Sequence, residues 1–388
     1  MPAQLPQELL DIIIGHVHNK PTLQSCALTS SRLRTPSQRG LFSSFRISLA
    51  IPYRVANDRF LQFTRFAGYV KTLTVVFPSG LSPAAAAADV SALRSLLDRL
   101  ERVRQCTLDS AGWALSPTIW GSPFCATILD FIQRQNLLEL HIRSIIDIPC
   151  ETLAAFFCAT PMLGLHNASV ICNWVLPQSE YPDVKAEHLR LTGCGMVLDA
   201  LQQGPFAPLT ANVRRMWTTM GTYNRTFKFA PGLAARLEYL RVDWPSAPEQ
   251  PMDPTELFAA LRTLDLSPRS FDRDVKPAQV AIFAPLFSCT TTALAEIRFS
   301  YSLGKNVFRK YFHTDTLEAV AAALEKCPGT PRISWYISVE GSKSRREHQL
   351  MKFTALLQAG LPCVHEQGRL YVQNRAFADD WSDSVTTP

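Results

Sequence analysis

The chain has 388 residues, 47% of them hydrophobic and 19% charged, with a formal net charge of +6. That composition supports a sizeable buried core in one large domain or two to three ordinary ones, and it excludes a disordered chain. No apolar run approaches the ~20 residues that span a bilayer, and the basic excess lacks the clustering that marks nucleic-acid binding.

The first residues read as helix, not as a secretory leader, so a cytoplasmic or nuclear location is expected. Ten cysteines are scattered without a CxxC pair, and eight histidines show no ligand spacing. They are expected to be reduced, mostly buried thiols and ordinary side chains, with no metal or cofactor site.

The predicted elements begin with two or three short helices. Pro6 suits a first helical turn, because the N–H it lacks would be unpaired there. Glu8 and Asp11 place negative charge near the positive end of that helix. Leu9, Ile13, His16 and Val17 follow helical spacing, and Leu10 with Ile14 forms a second stripe. Asn19-Lys20-Pro21 breaks the run and opens a second helix whose apolar face is Leu23, Cys26, Ala27 and Leu28. Thr29-Ser30-Ser31 and Pro36-Ser37 are weaker helix and turn signals, and Leu41, Phe42 and Phe45 close a hydrophobic cluster. A segment of this size buries too little surface to stand alone.

The residues Leu5-Pro6-x-Glu8-Leu9-Leu10, the Ile12-Ile13 run and Leu23-x-x-Cys26-Ala27-Leu28 make the segment resemble an F-box. Pro36-Ser37-Gln38-Arg39-x-Leu41-Phe42 is similar to the tail common in fungal F-box proteins. The resemblance implies docking on the Skp adaptor of a cullin–RING ubiquitin ligase. It also implies that Leu5, Pro6, Leu9, Ile13 and Leu28 pack against the adaptor or hold the small core. Leu33 stands where many F-boxes carry tryptophan.

A different rhythm follows. From Val70 a phrase recurs in which an apolar residue is followed by two variable residues, an apolar anchor, one variable residue and usually another apolar one. The middle anchors fall at 73, 106, 140, 165, 189, 216, 240, 264 and 297, with gaps of 33, 34, 25, 24, 27, 24, 24 and 33. Helical stripes lie between them: Val90, Leu93, Leu97 and Leu100 after the alanines at 84–88; Phe124, Ile128, Phe131 and Ile132; Leu153, Phe156 and Phe157. Leu317, Val320, Ala321 and Leu324 follow, then Leu350, Phe353, Leu356 and Leu357. Two more strand-like pieces are Ile333-x-Trp335-x-Ile337 and Leu370-x-Val372.

Alternating strands and helices predict an α/β fold with a parallel sheet. The spacing is similar to that of leucine-rich repeats, ~20–29 residues each. The expected architecture is a helical F-box-like module at 1–46, a curved leucine-rich-repeat-like solenoid with outer helices at 47–376, and a loose polar tail at 377–388. Residues 46–60 read as a connector or first strand and 245–254 as a proline-rich loop. Lys343-Ser344-Arg345-Arg346 reads as a solvated basic loop leading into the helix at Leu350, with a nuclear localisation signal or an anion patch as the alternatives.

Side chains alternate along a strand, so the residue between the second and third apolar positions faces away from the core. That column reads Thr74, Thr107, His141, His166, Arg190, Trp217, Arg241, Asp265 and Arg298, with Arg143, His188, Arg215, Tyr239 and Asp243 beside it. Arginine and aromatic residues dominate binding hot spots, and arginine suits carboxylate or phosphate. Arg190, Arg215, Trp217, Tyr239, Arg241 and Arg298 are therefore the expected target-binding residues, for an acidic or phosphorylated segment. No GxSxG, HExxH or complete phosphate loop occurs.

Three readings follow. In the first, a non-catalytic substrate receptor holds the Skp adaptor and cullin complex with one end and a target protein with the other. The second is a repeat-based scaffold unconnected with ubiquitin transfer. The third is an enzyme with an unrecognised site. An exposed apolar surface around Leu9 and Ile13 favours the first, and burial of that surface against the repeats favours the second.

Overall fold

The computed structural model describes residues 5–48, 64–77, 90–110, 120–171, 183–201, 204–219, 232–244, 257–268, 277–303, 314–339 and 342–374. The alanine run, the proline-rich loop, most of the 46–60 connector and the polar tail lie outside these residues. Every strand pairing described among these residues is parallel and helices lie in the connections, so the protein is mixed α/β. It divides into two compact units, Met1–Ala186 and Glu187–Pro388.

The first unit opens with three helices, α1 (Gln7–Gly15), α2 (Lys20–Thr29) and α3 (Ser31–Leu41). Asn19 caps α2 by accepting from the Thr22 amide, and Ser30 caps α3 by accepting from the Arg32 amide. Pro36 sits inside α3. Its missing N–H frees the carbonyl of Arg32 four residues earlier. Gln7 Nε2 of α1 donates to that carbonyl at 3.0 Å. Arg32 in turn donates to Gln7 Oε1 at 3.4 Å and to the carbonyl of Leu5. A proline that looked like a turn signal thus creates the bond that fixes α1 on α3. Ile14, Leu23 and Pro36 are buried in this module.

Helix α3 runs through Phe42 almost directly into strand β1 (Ser44–Ser48), so the boundary expected after residue 46 falls inside the sheet. Phe42 stacks on Phe66 of α4 (Thr64–Ala67), with ring centroids 4.1 Å apart. Next come β2 (Thr72–Phe77), α5 (Val90–Leu97), β3 (Gln105–Ser110), α6 (Pro123–Arg134) and β4 (Glu139–Arg143). They are followed by β5 (Ile148–Pro149), α7 (Cys150–Ala159), β6 (Met162–His166) and β7 (Val170–Ile171). Strands β1, β2, β3, β4 and β6 pair in that order, and β5 with β7 forms a separate two-residue ladder.

The second unit carries β8 (His188–Thr192), α8 (Gly195–Leu201), a 3-10 turn (Gly204–Thr210), β9 (Arg215–Thr219), α9 (Leu233–Arg236) and β10 (Tyr239–Trp244). It continues through β11 (Thr263–Pro268), α10 (Pro277–Ser288), β12 (Glu296–Leu303), α11 (Thr314–Leu324) and β13 (Arg332–Val339). Helices α12 (Lys343–Gly360) and α13 (Pro362–Glu366) lead to β14 (Leu370–Asn374). Strands β8 to β14 pair in chain order. The basic run at 343–346 is the first turn of α12 and not a loop, because nothing between Ser342 and Leu350 breaks a helix.

One hydrogen-bond device repeats at the start of the ladders. The amides of two consecutive residues donate to one carbonyl of the preceding repeat. Lys71 and Thr72 share Ser43, Arg104 and Gln105 share Lys71, and Leu138 and Glu139 share Arg104. In the second unit Arg214 and Arg215 share Glu187, and Glu238 and Tyr239 share Arg214. The ladders align Leu73, Cys106, Leu140 and Leu163 in one unit and Leu189, Met216, Leu240, Leu264, Ile297 and Ile333 in the other. All ten are buried. Each of the leucine, isoleucine and methionine anchors stabilises by about 1.5–3 kcal/mol when fully removed from water. The core face meets the helices: Phe77 of β2 contacts Phe124 of α6 edge-on, and Trp335 of β13 contacts Phe353 of α12.

This register corrects one repeat. Leu165 pairs with Ile142, so the phrase there is Thr160-x-x-Leu163-x-Leu165 and the outward residue is Gly164 instead of His166. Asn167, which breaks the phrase when Leu165 is taken as the anchor, lies past the strand end in a left-handed conformation with φ of 49°. Glycine carries no side-chain signal in such a column, which is why the phrase slipped. A Cβ at Gly164 would collide with Nδ1 of His141 and press on Nε2 of His166. Gly164→Ala is expected to lower stability by about 1–3 kcal/mol in urea unfolding, through overpacking. The double change Gly164→Ala with His141→Ala should recover most of the loss, and equal destabilisation in both variants would contradict this packing.

Candidate functional site

Two surfaces contain the residues singled out from sequence. The first is the outer side of the helical module. Ile14 and Leu23 point inward, whereas Leu5, Leu9, Ile13 and Leu28 are exposed, Leu9 at 45%, Ile13 at 52% and Leu28 at 86%. Pro6 is exposed with them. Ile12, at 59%, joins the same side and was not singled out from sequence, although the Ile12-Ile13 run was the signal for it. Leu9, Ile12 and Ile13 stand at helical spacing on α1, a geometry that presents one apolar strip. Helix α1 ends at Gly15, so His16 and Val17 do not continue it.

The second surface is the face of the second unit's sheet opposite the anchors. Cross-strand register places Arg190, Trp217, Arg241, Asp265, Arg298, Ser334 and Tyr371 in one row. Arg190 lies over the Trp217 indole at 3.5 Å from the ring centroid, and Arg241 covers the ring from the next strand at 4.2 Å. Cation–π contacts of this kind contribute about 0.5–2 kcal/mol each, more as water is excluded. Trp217 Nε1 donates to Asp243 Oδ2 at 2.8 Å, and Arg241 Nε donates to Asp243 Oδ1 at 2.9 Å. The Tyr239 hydroxyl donates to Asp265 Oδ2 at 2.9 Å, and Ser300 Oγ donates to Asp265 Oδ1 at 3.0 Å. Further along, Glu296 accepts from Arg298 at 2.7 Å and from Ser334. Arg332 lies 3.6 Å over the ring of half-exposed Tyr371.

The expected row is present, but its use differs. Trp217 is only 1% accessible, and Asp265 and Asp243 are buried. Flanking arginines cover the indole from both sides, so Trp217 offers no free face to a ligand. Arg241 neutralises Asp243 and Asp265. Tyr239, Trp217 and Arg241 therefore brace the sheet, and the accessible residues of this face are Arg190 and Arg298 in the row and Arg215 in the row beside it. Arg332 and Tyr371 extend it. The latter two were missed because only the apolar alternation of their strands had been read; Ile333-x-Trp335 already marked Arg332 and Ser334 as outward.

Electrostatics agree with a bracing role. Burial, reinforced by the Asp265 charge, holds the Tyr239 phenol well above its ordinary range, so it remains a donor. Burial raises Asp265 against the pull of Arg241 and Tyr239. Burial also opposes the charge on Arg241, but Asp265 and Asp243 outweigh it and raise the guanidinium further. His188 is lowered to about 4, by burial and then by Arg215 across the ladder. In the first unit, burial pushes the Cys106 and Cys125 thiols up to about 12, which leaves them protonated and poor nucleophiles at neutral pH. Among the described residues no group of three potential metal ligands gathers.

No family model matches the chain, and comparison with curated proteins finds no significant match.

Trp217→Ala is expected to cost about 3–5 kcal/mol, since it removes a filled indole site. Trp217→Phe should cost less, mainly the bond to Asp243, about 1–3 kcal/mol. Urea midpoints that barely move for Trp217→Ala would contradict the bracing role. His188 supplies a pH test. Between its folded value of about 4 and its ordinary 6.5, the unfolded chain binds a proton that the folded chain refuses. Stability therefore falls as pH drops through that window. His188→Gln should flatten the loss between pH 7 and pH 5 relative to wild type, and an unchanged slope would refute the assignment.

Proposed function

We propose that residues 5–45 act as an F-box and that the chain is a substrate-receptor subunit of an SCF-type cullin–RING ubiquitin ligase. Its sheets and helices are then read as an irregular leucine-rich-repeat-like solenoid. The observation that carries the reading is the exposed apolar side of the helical module. Five large apolar residues, Leu5, Leu9, Ile12, Ile13 and Leu28, face solvent on a module whose own core already holds Ile14 and Leu23. Burying one such side chain fully is worth about 1.5–3 kcal/mol, so the surface is suited to a partner. A helical cap on the repeats would instead turn Leu9 and Ile13 inward, which disfavours the plain scaffold reading.

The chemistry of this function is positional. The helical module holds the adaptor, the sheet face holds a target, and the charged ubiquitin-conjugating enzyme meets a target lysine at raised effective concentration. The target side is assigned to Arg190, Arg215 and Arg298, joined by Arg332 and Tyr371, for an acidic or phosphorylated segment. Trp217, Tyr239 and Arg241 hold these residues in place. No helix among the described residues is long and apolar enough to cross a membrane, and the reading places the protein in the cytoplasm or nucleus.

Affinity purification of the full chain tests both ends. Wild type should retain the Skp adaptor, and Leu9→Asp with Ile13→Asp should retain it at least about tenfold less, because a carboxylate cannot be buried unpaired. The triple change Arg215→Ala, Arg298→Ala and Arg332→Ala should keep the adaptor but lose a subset of other partners. Equal adaptor retention by the Asp variant would remove the F-box assignment, and an unchanged partner set in the Arg variant would remove the target face.

A further inference from the structure

A cleft of about 1050 Å³ opens within the first unit, between the helical module and the leading ends of the sheet strands. It lies on the opposite flank of α1 from Leu9 and Ile13: the buried Ile14 lines it. Its charged lining is Lys20 and Arg39 from the helices, Lys71, Arg102 and Arg104 from the sheet side, and Asp11. Asp11 is the one carboxylate among the lining residues, and it lies 3.5 Å from Arg39. Lys20, Lys71, Arg102 and Arg104 form no ion pair among the described residues. Arg104 has one side-chain bond, from Nη1 to the carbonyl of Asn136 at 3.1 Å.

The positions of Lys71 and Arg104 sharpen the observation. Each supplies the shared carbonyl that starts the next ladder, so they occupy equivalent places on adjacent strands, ~4.8 Å apart. The same place in the second unit reads Glu187, Arg214, Glu238 and Arg262, with alternating sign. There each charge has an opposite neighbour. In the first unit two like charges stand side by side at the mouth of a cleft, an arrangement that repels unless an anion lies between them. The rest of the lining includes Ile14, Val17, Tyr69 and Leu138. A volume near the upper end of ligand sites, ~300–1000 Å³, exceeds what a single small anion fills.

We propose that this cleft is a docking site for a short acidic segment of a partner protein. Carboxylates of the segment meet Lys71, Arg102 and Arg104, and its apolar side chains pack on Val17, Tyr69 and Leu138. The mixed lining favours a peptide over a bare polyphosphate, which has nothing to place against the apolar half. The proposal does not rest on the adaptor reading, because it uses the inner flank of the module and the sheet edge.

The test uses the full chain and a fluorescein-labelled peptide of four Glu-Glu-Leu repeats, followed by fluorescence anisotropy. Saturable binding is expected, weakening steeply with added salt because the contacts are solvent-exposed ion pairs. Lys71→Ala with Arg104→Ala should weaken it by about tenfold, since two exposed pairs are lost. Both side chains are exposed, so the fold should persist; Lys71→Gln alone, with a smaller loss of the same sign, provides a second reading. Leu9→Asp with Ile13→Asp should bind the peptide as wild type does, which separates this site from the adaptor surface. Three results would overturn the proposal: no saturable binding at low salt, equal binding by the Lys71 and Arg104 variants, or displacement by tripolyphosphate or oligoglutamate as effective as by the unlabelled peptide.

Discussion

The parallel register of the ladders is the constraint on which everything else rests. A strand shifted by one residue would send its whole apolar set to the other face. Here each shared carbonyl ties two amides of the following repeat, and the anchors Leu73, Cys106, Leu140 and Leu163 align without a slip. Once that alignment is set, the placement of every other group follows. Anchors enter the core, the alternate residues form the opposite face, and the residue before each strand lines one edge. The proposed target face and the basic cleft are both consequences of it.

The opposite face of the second unit shows how one set of residue types can serve two ends. Arginine, tryptophan, tyrosine and aspartate are the materials of a recognition surface, but several are consumed in holding the sheet. Trp217 lies between two guanidinium groups and bonds to Asp243, while Asp265 accepts from Tyr239 and Ser300. Partly satisfied buried networks are costly, whereas filled ones add rigidity. A braced face suits a receptor, because the arginines that remain accessible are offered from a stiff support and lose little freedom on binding.

Much of this organisation was legible in the sequence. The anchors were found by counting, and even the weak ones, Cys106 and Met216, are buried in register. The five helical stripes became helices. What failed did so for physical reasons. Gly164 has no side chain to announce an outward position, so Leu165 was taken as the anchor. Pro36 looked like a turn because the bond that compensates it comes from Gln7, a residue in another helix. Trp217 looked available because alternation gives the face on which a side chain lies but not its burial, which depends on neighbours across the strands. The exposed side of α1 was legible from spacing; that it remains uncovered was not, since coverage depends on elements remote in sequence.

The central claim is that the outer side of α1 is a docking surface for the adaptor. Hydrogen exchange measured by mass spectrometry on the full chain, with and without purified Skp adaptor, addresses it directly. The account predicts that amides of α1 and of the end of α2 around Leu28 become protected while those of β8 to β13 are unchanged. Protection confined to the sheet, or none at saturating adaptor, would contradict it.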